Sequence, residues 1–200
     1  MLSVVQVLNC RHCCEAAVSR RGFCGAVFLL TAGWFFFGLT ASPLGGQDGP
    51  LPARLGLDAR HHMQISPEDR CPVCGMKPIR YPKFASAIQL SNDQTYYFCS
   101  NGCMLKAWLH PDIFLKSSRQ QVLRAIVSEY FSGRQVDADA VSWIAGSDII
   151  GPMGPAMVAV QGDRSVKAFL SRHGGRRVFL LQELTDELWF SLTGKSSGAK

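Results

Sequence analysis

Two closely spaced cysteine pairs constrain this chain more than any other feature of its sequence. Cys71 and Cys74 lie in the segment CPVCGM, and Cys99 and Cys103 lie in the segment FCSNGC. A Cys-x-x-Cys turn directs both sulfurs to one point, as tetrahedral thiolate sites require. Cys99 and Cys103 are four positions apart where a strand is predicted to meet a helix. The free backbone N–H groups of a helix start favour thiolates there.

The residues between the two pairs predict a β-hairpin. Residues 85–90 and 94–99 read as strands, with a turn between them. A helix is predicted over residues 101–109 with Ser100 as its N-cap, and a second helix over residues 118–131. Because a hairpin returns to its starting point, the sequence predicts that the four sulfurs converge.

A related pattern follows in the second half of the chain. Residues 141–145 and 157–160 read as strands around a Gly-Pro-rich turn, residues 165–173 as a helix, and residues 178–184 as a final strand. The expected fold class is therefore α+β, with two small ββα-type units. The expected domains are a Cys-rich metal-binding unit at 71–133, a second unit at 134–190 and a disordered tail at 191–200.

The N-terminal residues 1–47 read as a signal peptide or a transmembrane segment. The segment SRRGF, beginning at Ser19, resembles a twin-arginine export motif, and a long uncharged apolar stretch follows it. Positive charge before an apolar run places the following chain outside the cytoplasm. We therefore expect a periplasmic protein, released by cleavage or tethered to the inner membrane, with a linker at residues 48–70.

Charge and motif content exclude several classes of function. The formal net charge of +6 comes without a basic stripe interleaved with aromatic residues, so no nucleic-acid partner is expected. The sequence has no phosphate-binding loop, serine triad or paired-carboxylate arrangement above chance. We therefore expect a protein that is not an enzyme.

The cysteines leave four readings open. Met76 lies two residues after Cys74, so both side chains point the same way in an extended segment, and a thioether beside thiolates favours Cu(I). Alternatively, the four cysteines hold a structural Zn²⁺, or they form disulfides after export. A thiol-disulfide exchange protein is the weakest reading, because Cys71 follows a loop and precedes strands instead of opening a helix after a strand.

The order of several separated motifs resembles the NosL family of copper-binding accessory proteins, which are associated with maturation of nitrous oxide reductase. The resemblance covers about residues 70–184. Its landmarks are CPVCGM at 71–76, Tyr81-Pro82, Val136-Asp137-Ala138, Trp143, Gly146-Ser147-Asp148, the loop GPMG at 151–154, Ala168-Phe169 and His173-Gly174-Gly175. The segment at 98–103 additionally resembles the second half of small heavy-metal-binding domains with a CxxC…FCSxxC signature.

This resemblance implies Cu(I) binding by a soft donor set that includes Cys74, Met76 and Met153. It also implies a metallochaperone that receives copper from a donor protein or delivers it to a periplasmic copper enzyme such as nitrous oxide reductase. Family members often carry a histidine shortly after the Met-Gly of the GPMG loop, where this chain has Pro155. No cysteine stands at Ala41 or Ser42, so the sequence does not support a lipid anchor.

Overall fold

The computed structural model describes residues 49–198, and its mixture of helices with antiparallel sheets confirms the α+β class. The strands are β1 Ser86–Leu90, β2 Thr95–Phe98, β3 Val122–Ser128, β4 Gln135–Asp137, β5 Ser142–Ala145, β6 Ile150–Gly151, β7 Gly154–Pro155, β8 Val158–Val160 and β9 Arg177–Phe179. The helices are α1 Asn101–Leu109, α2 Pro111–Phe114, α3 Asp163–His173 and α4 Asp186–Thr193.

The predicted hairpin and the helix after it are confirmed. β1 and β2 pair antiparallel, with Ser86 opposite Phe98, and the turn between them places Asp93 at φ 65°. α1 begins at Asn101 with Ser100 as its N-cap, as the sequence predicts. The hairpin therefore ends beside its own first residue, and α1 starts at that end.

The predicted helix over residues 118–131 is wrong. The chain makes a short 3-10 turn at Arg119–Gln121 and then continues as β3, which lies between β1 and β4 in a sheet of order β2-β1-β3-β4. Residues 125–128 are buried in succession. A strand covered on both faces loses its polar alternation, so a short apolar run cannot be told from a buried helix by its periodicity.

Residues 53–65, in the stretch expected to be a linker, cover the outer face of this sheet. Ala53 N donates to the carbonyl oxygen of Thr95 at 2.7 Å. The Tyr97 hydroxyl donates to the carbonyl oxygen of Gly56 at 2.9 Å. Met63 and Ile65 pack against the outer face as well. The sheet is buried on both sides for this reason.

The second half contains a sheet of order β8-β5-β9 and the two-stranded ladder β6-β7. The predicted strand over residues 178–184 is only partly correct, since β9 ends at Phe179 and a 3-10 turn at Leu181–Glu183 follows. Leu180 N donates to the Glu183 carboxylate at 2.7 Å, which stabilises the turn locally. The predicted helix over residues 165–173 is confirmed as α3.

The two halves share one hydrophobic core. Phe98 and Met104 of the first half lie in the same buried cluster as Trp143 and Phe179 of the second half. The antiparallel pairing of β3 with β4 also spans the expected domain boundary between residues 133 and 134. The cysteine-bearing hairpin belongs to the first sheet and thus shares its core with the second half of the chain.

The expected signal or transmembrane segment at 1–47 lies outside the described residues. Within residues 49–198, no helix has the length and apolarity needed to cross a membrane. At the other end, α4 extends into the expected disordered tail, and Ser197 is buried with its Oγ 2.9 Å from His110 Nε2.

Candidate metal centre

The segment 71–76 is a closed loop. Gly75 N donates to the carbonyl oxygen of Cys71 at 2.8 Å, and Cys71 N donates to that of Met76 at 2.9 Å. Gly75 has φ +74°, a left-handed conformation that glycine adopts without steric cost. These bonds fix the turn between Cys71 and Cys74, so their side chains are positioned before any ligand binds.

The second pair is placed by the junction between β2 and α1. Cys99 directly follows β2, and Cys103 lies in the first turn of α1. The N-cap Ser100 accepts a hydrogen bond from Cys103 N at 3.2 Å through its Oγ, so the cap that starts the helix also orients the cysteine.

The structure brings all four sulfurs together, as the hairpin argument predicts. The Sγ atoms lie within 4.8 Å of one another. Three separations are 3.3 Å for Cys74–Cys99, 3.9 Å for Cys99–Cys103 and 3.9 Å for Cys103–Cys74. A tetrahedron with metal–sulfur bonds of about 2.3 Å has sulfur–sulfur edges of about 3.8 Å. The donor set therefore fits one thiophilic metal ion at its centre, and all four cysteines are free thiols.

The four thiols share their protons unequally. Hydrogen bonds from Cys103, Cys71 and Cys99 lower the pKa of Cys74 far below its usual range. The pKa of Cys103 is raised, because its thiol is hydrogen-bonded to Cys71 and Cys74. The pKa of Cys71 is lowered as well, mainly by its hydrogen bond with Cys103, so the thiolate form is favoured in the 71–74 pair over the 99–103 pair. A bound cation favours ionisation of the others, since metal binding displaces thiol protons.

Accessibility sets one sulfur of the cluster apart from the other three. Cys71, Cys99 and Cys103 expose 2%, 0% and 3% of their surface, whereas Cys74 is half-buried. Cys74 is the sulfur through which a metal could enter or leave.

The two methionines take different places. Met76 contacts the cluster through its backbone N–H, which hydrogen-bonds Cys74 and helps to lower its pKa. The Met76 side chain packs against the main core. Met153 lies in the turn of the β6-β7 ladder and is 52% exposed. It shares with Cys103 the lining of a cavity of about 330 Å³.

Lys106, Arg176 and Trp189 also line this cavity and are not among the site residues that the sequence predicts. Lys106 lies three positions after Cys103 on α1, so helical spacing could have indicated it. Arg176 and Trp189 come from distant parts of the chain. No local pattern links them to the cysteines.

Comparisons with known proteins agree with this architecture. The NosL family model matches residues 62–189. The copper-binding lipoprotein NosL of Stutzerimonas stutzeri is 28% identical over 124 residues, which cover 60% of this chain and 64% of that protein. The chain therefore spans less than two thirds of that relative's length.

The crystal structure of the copper chaperone NosL from Shewanella denitrificans matches the fold with a TM-score of 0.55. Its sequence identity is 19%, and the match covers 63% of this chain and 96% of that chain. The family match contains the four cysteines of the cluster, Met76 and Met153. It covers more than half of the sequence. The chain belongs to the NosL family.

Proposed function

We propose that this protein binds Cu(I) at the four-cysteine cluster and passes it on as a metallochaperone. The convergence of the four sulfurs carries the proposal, because a cluster of thiolates selects soft monovalent copper over hard cations. The names of the two relatives as copper-binding proteins support the same metal.

Transfer proceeds by stepwise exchange of ligands. A carrier must hold its metal tightly and still release it, so some of its donors must reach a partner. Cys74 is the half-buried sulfur of the cluster, and Met153 offers an exposed thioether on a neighbouring turn. Met76 completes the proposed soft donor set beside Cys74. No covalent chemistry on an organic substrate is needed.

The proposed partners are a donor protein that supplies copper and a periplasmic enzyme that receives it, such as nitrous oxide reductase. The twin-arginine-like segment at the N-terminus supports export to the periplasm. The name of the Stutzerimonas stutzeri relative as a lipoprotein is consistent with an exported protein.

One observation favours a second candidate, a structural Zn²⁺ site. Three of the four cysteines are buried, and structural zinc sites are closed four-coordinate clusters. In that case the metal holds the 71–76 loop to the hairpin and is not exchanged.

Metal competition separates the two candidates. The full chain, reduced and anaerobic, is offered Cu(I) and Zn²⁺ together with a chelator of known affinity for each. We expect near-stoichiometric retention of Cu(I), with a loss of affinity in Cys74→Ser of about a hundredfold or more, since one of four ligands is removed. Retention of Zn²⁺ alone, unchanged in Met76→Leu and Met153→Leu, would establish the structural site instead.

A further inference from the structure

The cavity beside the cysteine cluster is of a size that holds a short piece of chain. Its volume of about 330 Å³ lies at the lower end of the range for small-ligand pockets. Val73, Phe84, Met157 and Trp189 form an apolar part of its wall. A few side chains fit such a space, and a folded domain does not.

The charge of the lining has one sign. Lys106, Arg176 and Lys195 all line the cavity, and no described lining residue carries a carboxylate. Arg176 is held in place, because it lies against Gly146 and its Nη2 donates to the carbonyl oxygen of Leu192 at 3.2 Å. Lys195 is exposed and Lys106 is half-buried. Cations at an apolar pocket favour an anionic ligand and speed its approach.

Sulfur borders the same space. Cys103 lines the cavity from the metal cluster, Met153 lines it from the β6-β7 turn, and Val73 connects it to the 71–76 loop. The cavity therefore lies against the Cys103 side of the cluster and is also bordered by the exposed thioether of Met153.

We propose that this cavity is the docking site for an acidic segment of a partner protein that carries a methionine or cysteine. The acidic side chains meet Lys106, Arg176 and Lys195, the apolar stems meet Trp189 and its neighbours, and the soft side chain reaches the metal cluster. The inference rests on the proposed function for its exchange step, while the charge-based docking does not depend on the metal.

Docking is tested with fluorescence anisotropy on the full reduced chain, with and without Cu(I). The probes are a labelled short peptide in which aspartates flank one methionine, the same peptide with lysines for aspartates, and a version with norleucine for methionine. The acidic peptide should bind at least about tenfold more tightly than the basic one, and its affinity should fall with added salt. The methionine peptide should bind more tightly than the norleucine peptide only when the chain is loaded with Cu(I).

A matched pair of variants separates local from general charge effects. Lys106→Gln with Lys195→Gln removes two cations from the cavity, and Lys167→Gln with Arg172→Gln removes two exposed cations of α3 that do not line it. The first pair should abolish the preference for the acidic peptide, and the second should retain it.

Equal binding of acidic and basic peptides, or equal losses in the two variant pairs, would overturn the docking site. Equal binding of the methionine and norleucine peptides to the Cu(I)-loaded chain would overturn the soft-donor contact. A chain that loads no Cu(I) but keeps the local preference for the acidic peptide refutes the proposed function and supports the docking site.

Discussion

The Sγ atoms of Cys74 and Cys99 lie 3.3 Å apart although the residues are 25 positions apart in sequence. One belongs to the loop at 71–76, and the other follows β2. Their closeness joins the two cysteine pairs into one cluster. A disulfide bond is about 2.0 Å long, so the two sulfur atoms must move only slightly closer to form a covalent bond.

We predict that mild oxidation of the metal-free chain links Cys74 to Cys99 first. Diamide accepts two electrons and two protons from the two thiols, and the lowered pKa of Cys74 favours the thiolate that begins the exchange. Disulfide mapping by mass spectrometry identifies the linked pair, and metal binding should be lost until a reductant is added. A Cys71–Cys74 bond as the first product would contradict the prediction.

Met153→Leu should leave the fold intact and weaken Cu(I) binding. Met153 is 52% exposed, so the change should alter the free energy of unfolding by less than about 0.5 kcal/mol. Loss of a thioether donor should reduce Cu(I) affinity by about tenfold, or about 1.4 kcal/mol. Chelator competition measures the affinity. Ile150→Leu, 67% exposed on the same ladder, is the control and should bind Cu(I) normally.

Ser100→Ala should lower both stability and metal affinity. The Ser100 side chain caps α1 by accepting from Cys103 N, and loss of an N-cap costs about 1 kcal/mol. Thr185→Ala removes the equivalent cap of α4, which accepts from Leu188 N at 3.2 Å. Urea unfolding should show similar losses of stability for both variants, whereas metal titration should show weaker binding for Ser100→Ala alone. Equal metal affinities of the two variants would show that the Ser100 cap does not position the metal site.

Glu129→Gln should destabilise the protein in a pH-dependent way. Burial alone would raise the pKa of Glu129, but hydrogen bonds from Ser132 N at 2.7 Å and Ser132 Oγ at 2.6 Å outweigh it and lower the pKa. The amide oxygen of glutamine can still accept from Ser132, but without the carboxylate charge these bonds are weaker, which should cost about 1 kcal/mol at pH 7.

The sign of the pH effect follows from that lowered pKa. The stabilisation by Glu129 is complete above the ordinary glutamate value of 4.5 and is lost as the pH falls through the lower folded value. Urea unfolding of both proteins across this range should therefore show a difference that shrinks towards acid. A difference independent of pH would refute the assignment.

Local patterns in the sequence were sufficient for the elements that carry the cysteines. The aliphatic and aromatic composition of β1 and β2, the turn between them and the cap at Ser100 depend on neighbouring residues. The order of motifs also indicates the family, and spacing alone predicts Cys74 and Met76 as neighbouring soft donors.

Elements defined by distant contacts were the ones that the sequence misassigned. β3 was read as a helix because residues 53–65 cover its outer face, and that cover removes the polar alternation expected of a strand. Likewise, the stretch after Phe179 turns because Glu183 bonds back to Leu180.

The sequence by itself determined which sulfurs are available and that a hairpin would bring them together, since both depend on short-range spacing. Tertiary structure alone decided which sulfur stays accessible, how Met153 lies relative to Cys103 and which cations surround the cavity. Those properties depend on packing between α1, α4 and the β6-β7 ladder. Such packing joins distant parts of the chain, so the residue pattern within one segment cannot predict it.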